Sequence, residues 1–93
     1  MATFEIKNKQ IANQYEYTDE NLKFKGSFHK DYDTNVLQKY DGSVFTADES
    51  VFIGTVNAEL KDGKQIYSIP PTTKEITTLI WAAIDEIEKN INA

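Results

Sequence analysis

A single stripe of isoleucines decides what this chain can fold into. In "KEITTLIWAAIDEIEKNIN", Ile76, Leu79, Ile80, Ala83, Ile84, Ile87 and Ile91 recur at the spacing of one helix face. The pattern predicts an amphipathic helix from Thr73 to about Asn90, and the residues before it announce its start. Pro70 biases Ile69 towards an extended conformation. Thr72 and Glu75 have the spacing of a capping box, in which each side chain satisfies a backbone N–H of the other. An apolar stripe of this length must be covered by something. The residues ahead of Pro70 are the only candidates, and they read as strands.

The clearest strand is "NLKFKGSFHK". Leu22, Phe24, Gly26 and Phe28 alternate with Lys23, Lys25, Ser27 and His29, the period of two expected of a half-buried strand. Phe4 with Ile6, and Tyr15 with Tyr17, give shorter versions. In "NAELKDGKQIYSI", Asp62-Gly63 suits a two-residue type I′ hairpin turn, because both central residues need positive φ. That turn sets a register pairing Leu60 with Gln65, Ala58 with Tyr67 and Val56 with Ile69, with Asn57 and Glu59 on the opposite face. A second pair, Asp41-Gly42, lies between "VLQKY" and "SVFTA" and predicts another hairpin.

The expected fold is therefore α+β. An antiparallel meander of about six or seven short strands, strongly bent or barrel-like, packs on one C-terminal amphipathic helix. The reading gives a single domain over residues 1–93, with the sheet in 1–69 and the helix in 72–91. The closed variant, seven strands capped by the helix, resembles pleckstrin-homology-like domains in element order and in its helix tryptophan, here Trp81 in "IWAAI". The resemblance implies a small closed barrel, and no other motif aligns.

Composition narrows the function. Net charge is −5 and all ten basic residues are lysine. Arginine supplies the bidentate grip on phosphate and the stacking on bases, so its absence argues against a nucleic-acid partner. Residues 1–30 carry a net +1 and residues 31–93 a net −6. With no cysteine and one histidine, thiol chemistry, disulfides and a Cys–His pair are excluded. The opening "MATFEIKNKQ" lacks the apolar core of a signal peptide, and the run "LIWAAI" is too short to span a bilayer. The expectation is a cytoplasmic protein away from membranes. Its lysine, asparagine and isoleucine usage suits an AT-rich bacterial or phage genome.

Few residues invite chemistry. Asp31, Asp33 and Asn35 in "DYDTNVLQKYDG" occupy positions 1, 3 and 5 of a calcium loop. Position 6 is Val36 where glycine is needed, and position 12 is Gly42, which has no ligand atom. These acids read as a turn. His29 falls on the polar phase of its strand. Lys23, Lys25 and Lys30 flank Phe24 and Phe28, but alternation sends Lys23 and Lys25 to the face opposite the phenylalanines, so no stacking platform forms. The lysines are instead expected to keep an edge strand soluble. Asp85, Glu86 and Glu88 fall opposite the isoleucine stripe as ordinary solvation. Trp81 fits least well, since it projects about 120° from the centre of the stripe. Two readings stand: Trp81 covers the rim of the sheet, or, beside Thr77 and Glu88, it forms a candidate interface.

The function expected is a non-catalytic protein-binding or assembly module, self-association included, with no cofactor, no metal and no catalytic residue. The alternative is a carrier or sensor of a small ligand held between helix and sheet. An enzyme working through carboxylates is a third class.

Overall fold

Strands β1 (Thr3–Asn8), β2 (Asn13–Thr18), β3 (Leu22–Asp31), β4 (Val36–Thr46), β5 (Phe52–Lys61) and β6 (Lys64–Ser68) are followed by one helix, α1 (Lys74–Ile91). The computed structural model describes residues 2–8, 13–31, 34 and 36–92, apart from the side chains of Ile6, Lys7 and Asn8. Every strand pairs antiparallel with its neighbour in sequence, giving one six-stranded sheet in the order β1-β2-β3-β4-β5-β6.

Alternation sorts the side chains. Phe4, Tyr17, Phe24 and Val44 form one cross-strand row on the inner face, and Phe28, Tyr40, Ala58 and Tyr67 form another. The helix covers this face with Ile80, Ala83, Ile84, Ile87 and Ile91, all buried. The core lies between these two layers. Lys23, Lys25, Ser27 and His29 line the other face, which no helix covers among the described residues. Opposite His29 and Lys30 the β4 register skips Gln38, a bulge that lets Leu37 and Tyr40 both face inward. From β3, Lys30 reaches the end of the helix and its Nζ donates to the Ile91 carbonyl at 2.9 Å. A cation there satisfies an orphan helix acceptor and complements the dipole.

The Asp62-Gly63 hairpin forms as expected. Both residues have positive φ (52° and 78°), and the pairs Leu60–Gln65 and Ala58–Tyr67 are present. The register ends at Asn57–Ser68, one step short of the expected Val56–Ile69 pair.

Four expectations are corrected. The sheet has six strands, and it is open: β1 and β6 are its edges and do not pair with each other, so the barrel-like closure is absent. Asp41-Gly42 is not a turn but the middle of β4, where Gly26 and Gly42 stand directly opposite each other. The reason is steric. Tyr15, opposite Gly26 on β2, reaches across to β4, where its hydroxyl donates to the Asp41 carbonyl at 2.8 Å. A Cβ on Gly42 would stand 2.6 Å from that hydroxyl, and one on Gly26 only 1.9 Å from the Asp41 carbonyl oxygen. β3 is not an edge strand, since β2 and β4 flank it. Lys23 and Lys25 are held instead by a loop carboxylate, that of Glu49.

The fourth correction concerns the helix start. The N-cap is Thr73, whose Oγ1 accepts from the Ile76 N–H at 3.2 Å. The Thr72–Glu75 box is therefore displaced by one residue, and Glu75 sits in the first turn, where it complements the dipole. Pro70 packs on Gly54 of β5, where an added Cβ would lie 2.3 Å from the proline ring. That contact fixes where the chain leaves the sheet, and so which threonine meets the first free N–H groups.

Candidate functional site

With Ile80, Ile84 and Ile87 turned to the sheet, Trp81 points to one side, towards β6. It stays 40% exposed and meets the Tyr67 ring edge to face, with centroids 5.1 Å apart at 74°. Such a contact orients the indole and leaves part of its face open. Tyr67 and Trp81 thus form an aromatic corner at an edge of the sheet.

Behind the corner lies Glu88. The Tyr67 hydroxyl donates to Glu88 Oε2 at 2.6 Å, and the Tyr40 hydroxyl donates to the same oxygen at 2.5 Å. Glu88 is half-buried, not a solvated residue of the outer helix face. The step from Ile87 to Glu88 is only 100°, so a residue flanking the stripe can still reach under a sheet edge when tyrosines wait there. Burial first, then the bond to Glu88, raises Tyr40 well above an ordinary phenol. Burial, Glu88 and the nearby charge of Asp85 push Tyr67 up to about 12. Both phenols stay protonated donors at neutral pH, so the carboxylate is held in one orientation.

Of the candidate interface residues, Trp81 and Glu88 are thus linked through Tyr67. Thr77 is half-buried one turn before Trp81. Asp85 lies between Trp81 and Glu88 and is exposed, whereas the charge of Glu86 acts on Tyr17 of β2. Sequence reasoning missed Tyr40 and Tyr67. The hairpin register did place Tyr67 on the inner face beside Ala58, but only the position of the helix over the sheet brings a carboxylate to it.

The uncovered face offers different material. An open groove of about 400 Å³ is lined by Ser27, Phe28, His29, Lys39, Tyr40, Asp41, Asn57, Ala58 and Glu59. His29, Lys39 and Glu59 stand in one cross-strand row and Ser27, Asp41 and Asn57 in the next. His29 is exposed, as its polar phase requires. Lys23 and Lys25 are not free for phosphate. Both pair with Glu49, at 2.5 and 3.0 Å. Glu49 adopts φ 63° in the loop between β4 and β5, and the two ion pairs hold it there. Next to it, Asp48 accepts from the Ser50 hydroxyl and N–H and the Thr46 hydroxyl, which lowers its carboxyl to about 2. Phe45 and the exposed Phe52 touch on this face at 5.4 Å, and Lys25 lies 6.0 Å from the Phe45 centroid.

The segment read as a turn rather than a calcium loop joins β3 to β4 with no helix on either side. Asp31 Oδ1 accepts from the Thr34 N–H at 3.4 Å, a turn contact; Asp33 and Asn35 lie outside the described residues. No described helix is long and apolar enough to cross a membrane. Comparison with known proteins adds no relative: no family model, no curated protein and no solved structure matches this chain.

Proposed function

We propose that the protein is a non-catalytic docking module that binds a protein partner at the rim where β6 meets α1. The observation that carries this reading is Trp81. It is a large aromatic side chain, 40% exposed and held in one orientation by Tyr67, at a strand edge that no other strand pairs among the described residues. Oriented aromatic residues of this kind anchor interfaces, because they bury much area while losing little freedom. The carboxylates that could have served acid/base chemistry are otherwise engaged or dispersed. Glu88 accepts two tyrosine hydroxyls, and Asp85 and Glu86 are exposed on different sides of the helix.

The small-ligand reading draws support from the polar groove, but on the uncovered face. The layer between helix and sheet is filled by Ile80, Ile84, Ile87, Val44 and Val56, each no more than 1% exposed.

Trp81→Ala tests the docking reading. Stability should stay within about 1.5 kcal/mol of wild type, where truncating a core tryptophan would cost ~3–5 kcal/mol. Protein partners captured by the wild-type chain from its native host should be lost with Trp81→Ala. They should be retained with Phe52→Ala, which removes an exposed aromatic side chain from the other face. Equal capture by all three chains would sink the reading.

A further inference from the structure

The β6–α1 rim also states what chemistry it would accept, an inference that rests on the docking reading above. Three features converge there. The first is the edge itself: β6 has β5 on one side and no strand on the other among the described residues. An edge strand presents unpaired N–H and C=O groups, the template for an added strand. Apolar surface flanks it on both faces, Ile66 at 53% exposure on the uncovered side and the Tyr67–Trp81 corner on the helix side. A paired strand would send alternate side chains to each.

The second feature is the unused acceptor. Tyr40 and Tyr67 both donate to Oε2 of Glu88, and Oε1 accepts no hydrogen bond among the described residues. The tyrosines fix the carboxylate but do not satisfy it. The third is charge. Asp85 is exposed one turn beyond Trp81, close enough for its charge to act on Tyr67. Lys61 and Lys64 sit at the hairpin end of the strand and on its other face, and Lys89 follows Asp85 by one helical turn. With Asp85 one turn from the partly exposed indole and Glu88 linked to it through Tyr67, the rim suits a cation, since the tryptophan ring attracts positive charge through its quadrupole.

We propose that β6 takes up an extended, basic segment of a partner protein as a seventh strand. A lysine or arginine opposite Tyr67 would lie over Trp81 with its charge against Asp85 and Glu88. The next residue of the segment, opposite Ile66, is apolar. Lys61 and Lys64 set the polarity of the site, because they repel a second basic residue at the hairpin end. A second copy pairing β6 with β6 fits less well, because "KQIYS" offers no cation on the helix-facing positions, which are Gln65 and Tyr67.

The test uses the full chain and two synthetic peptides, Thr-Val-Arg-Val-Thr and the same peptide with Glu for Arg. Trp81 is the only tryptophan, so its fluorescence reports the site directly. The Arg peptide should bind about tenfold more tightly than the Glu peptide and weaken as salt rises. Asp85→Asn, an exposed substitution that leaves the tyrosine contacts intact, should remove several-fold of that preference. Equal binding of the two peptides, or no binding of either at millimolar concentration, overturns the proposal. So does a concentration-dependent dimer that Trp81→Ala dissolves, which would assign the edge to a second copy. Loss of native partners in Trp81→Ala with no peptide preference would refute the basic segment and leave the docking reading intact.

Discussion

The chain contains two Asp-Gly pairs, and the fold uses them in opposite ways. At Asp62-Gly63 both residues take positive φ and the chain reverses. At Asp41-Gly42 the chain runs straight through the middle of the eleven-residue β4. In the first case the glycine is there for its backbone, with nothing within 4 Å of an added Cβ. In the second it is there for its missing side chain, because the Tyr15 hydroxyl occupies the space. A dipeptide proposes a turn; the contacts around it decide whether the chain accepts.

The contrast fixes an order of substitution costs. Gly26→Ala should be worst, at about 3 kcal/mol or more, because its Cβ meets the backbone of a neighbouring strand, which cannot swing aside. Gly42→Ala should follow at about 1–3 kcal/mol, since the obstacle is the end of a side chain, though a buried one tied to Asp41. Urea midpoints at constant slope would measure both. If Gly42→Ala proved neutral, close packing would not be what keeps this pair in strand.

Gly63→Ala should cost less, about 1–2 kcal/mol, as pure backbone strain at φ 78° with open space around it. Here a D-alanine at position 63, introduced by chemical synthesis, should restore wild-type stability, because it relieves φ and adds no clash. The same D-residue at position 42 should not rescue. A rescue at both sites would erase the distinction between turn glycine and packing glycine.

This contrast also explains how much could be read from the sequence. Alternation in Leu22–Phe28 and the helical stripe from Ile76 to Ile91 are repeated signals. Each residue votes for the same face, and both elements appear where the pattern puts them. The Lys61–Lys64 reversal was legible because strands of matched pattern lie on both sides of its turn. What escaped were choices made by one contact between distant residues: Tyr15 with Asp41, 26 positions apart, and Tyr40 with Glu88, 48 apart. The second of these bears on the site. Glu88 looked solvated on a helical wheel, and Trp81 merely off-centre. Only the crossing of helix over sheet makes them neighbours of Tyr67. Closure failed for a related reason, since strand count does not say whether the first and last edges meet.

The smallest effect tests the same lesson at the helix start, where two adjacent threonines compete. Thr72 has the better motif, with Glu75 three residues on, yet Thr73 caps the helix. If position over the sheet decides, Thr73→Ala should cost about 1 kcal/mol by leaving the Ile76 N–H without its acceptor. Thr72→Ala should then stay within about 0.5 kcal/mol, the range of an ordinary surface change. The pair is informative because the alternative predicts the reverse. A helix free to start at the better motif would gain one residue, lean on Thr72 and tolerate Thr73→Ala. What holds the start in place is Pro70 seated on Gly54. Gly54→Ala should therefore loosen that seat and shift part of the capping to Thr72, so that Thr72→Ala becomes costly only in that background. A double-mutant cycle between positions 54 and 72 with coupling indistinguishable from zero would show that local sequence, and not the sheet, sets where this helix begins.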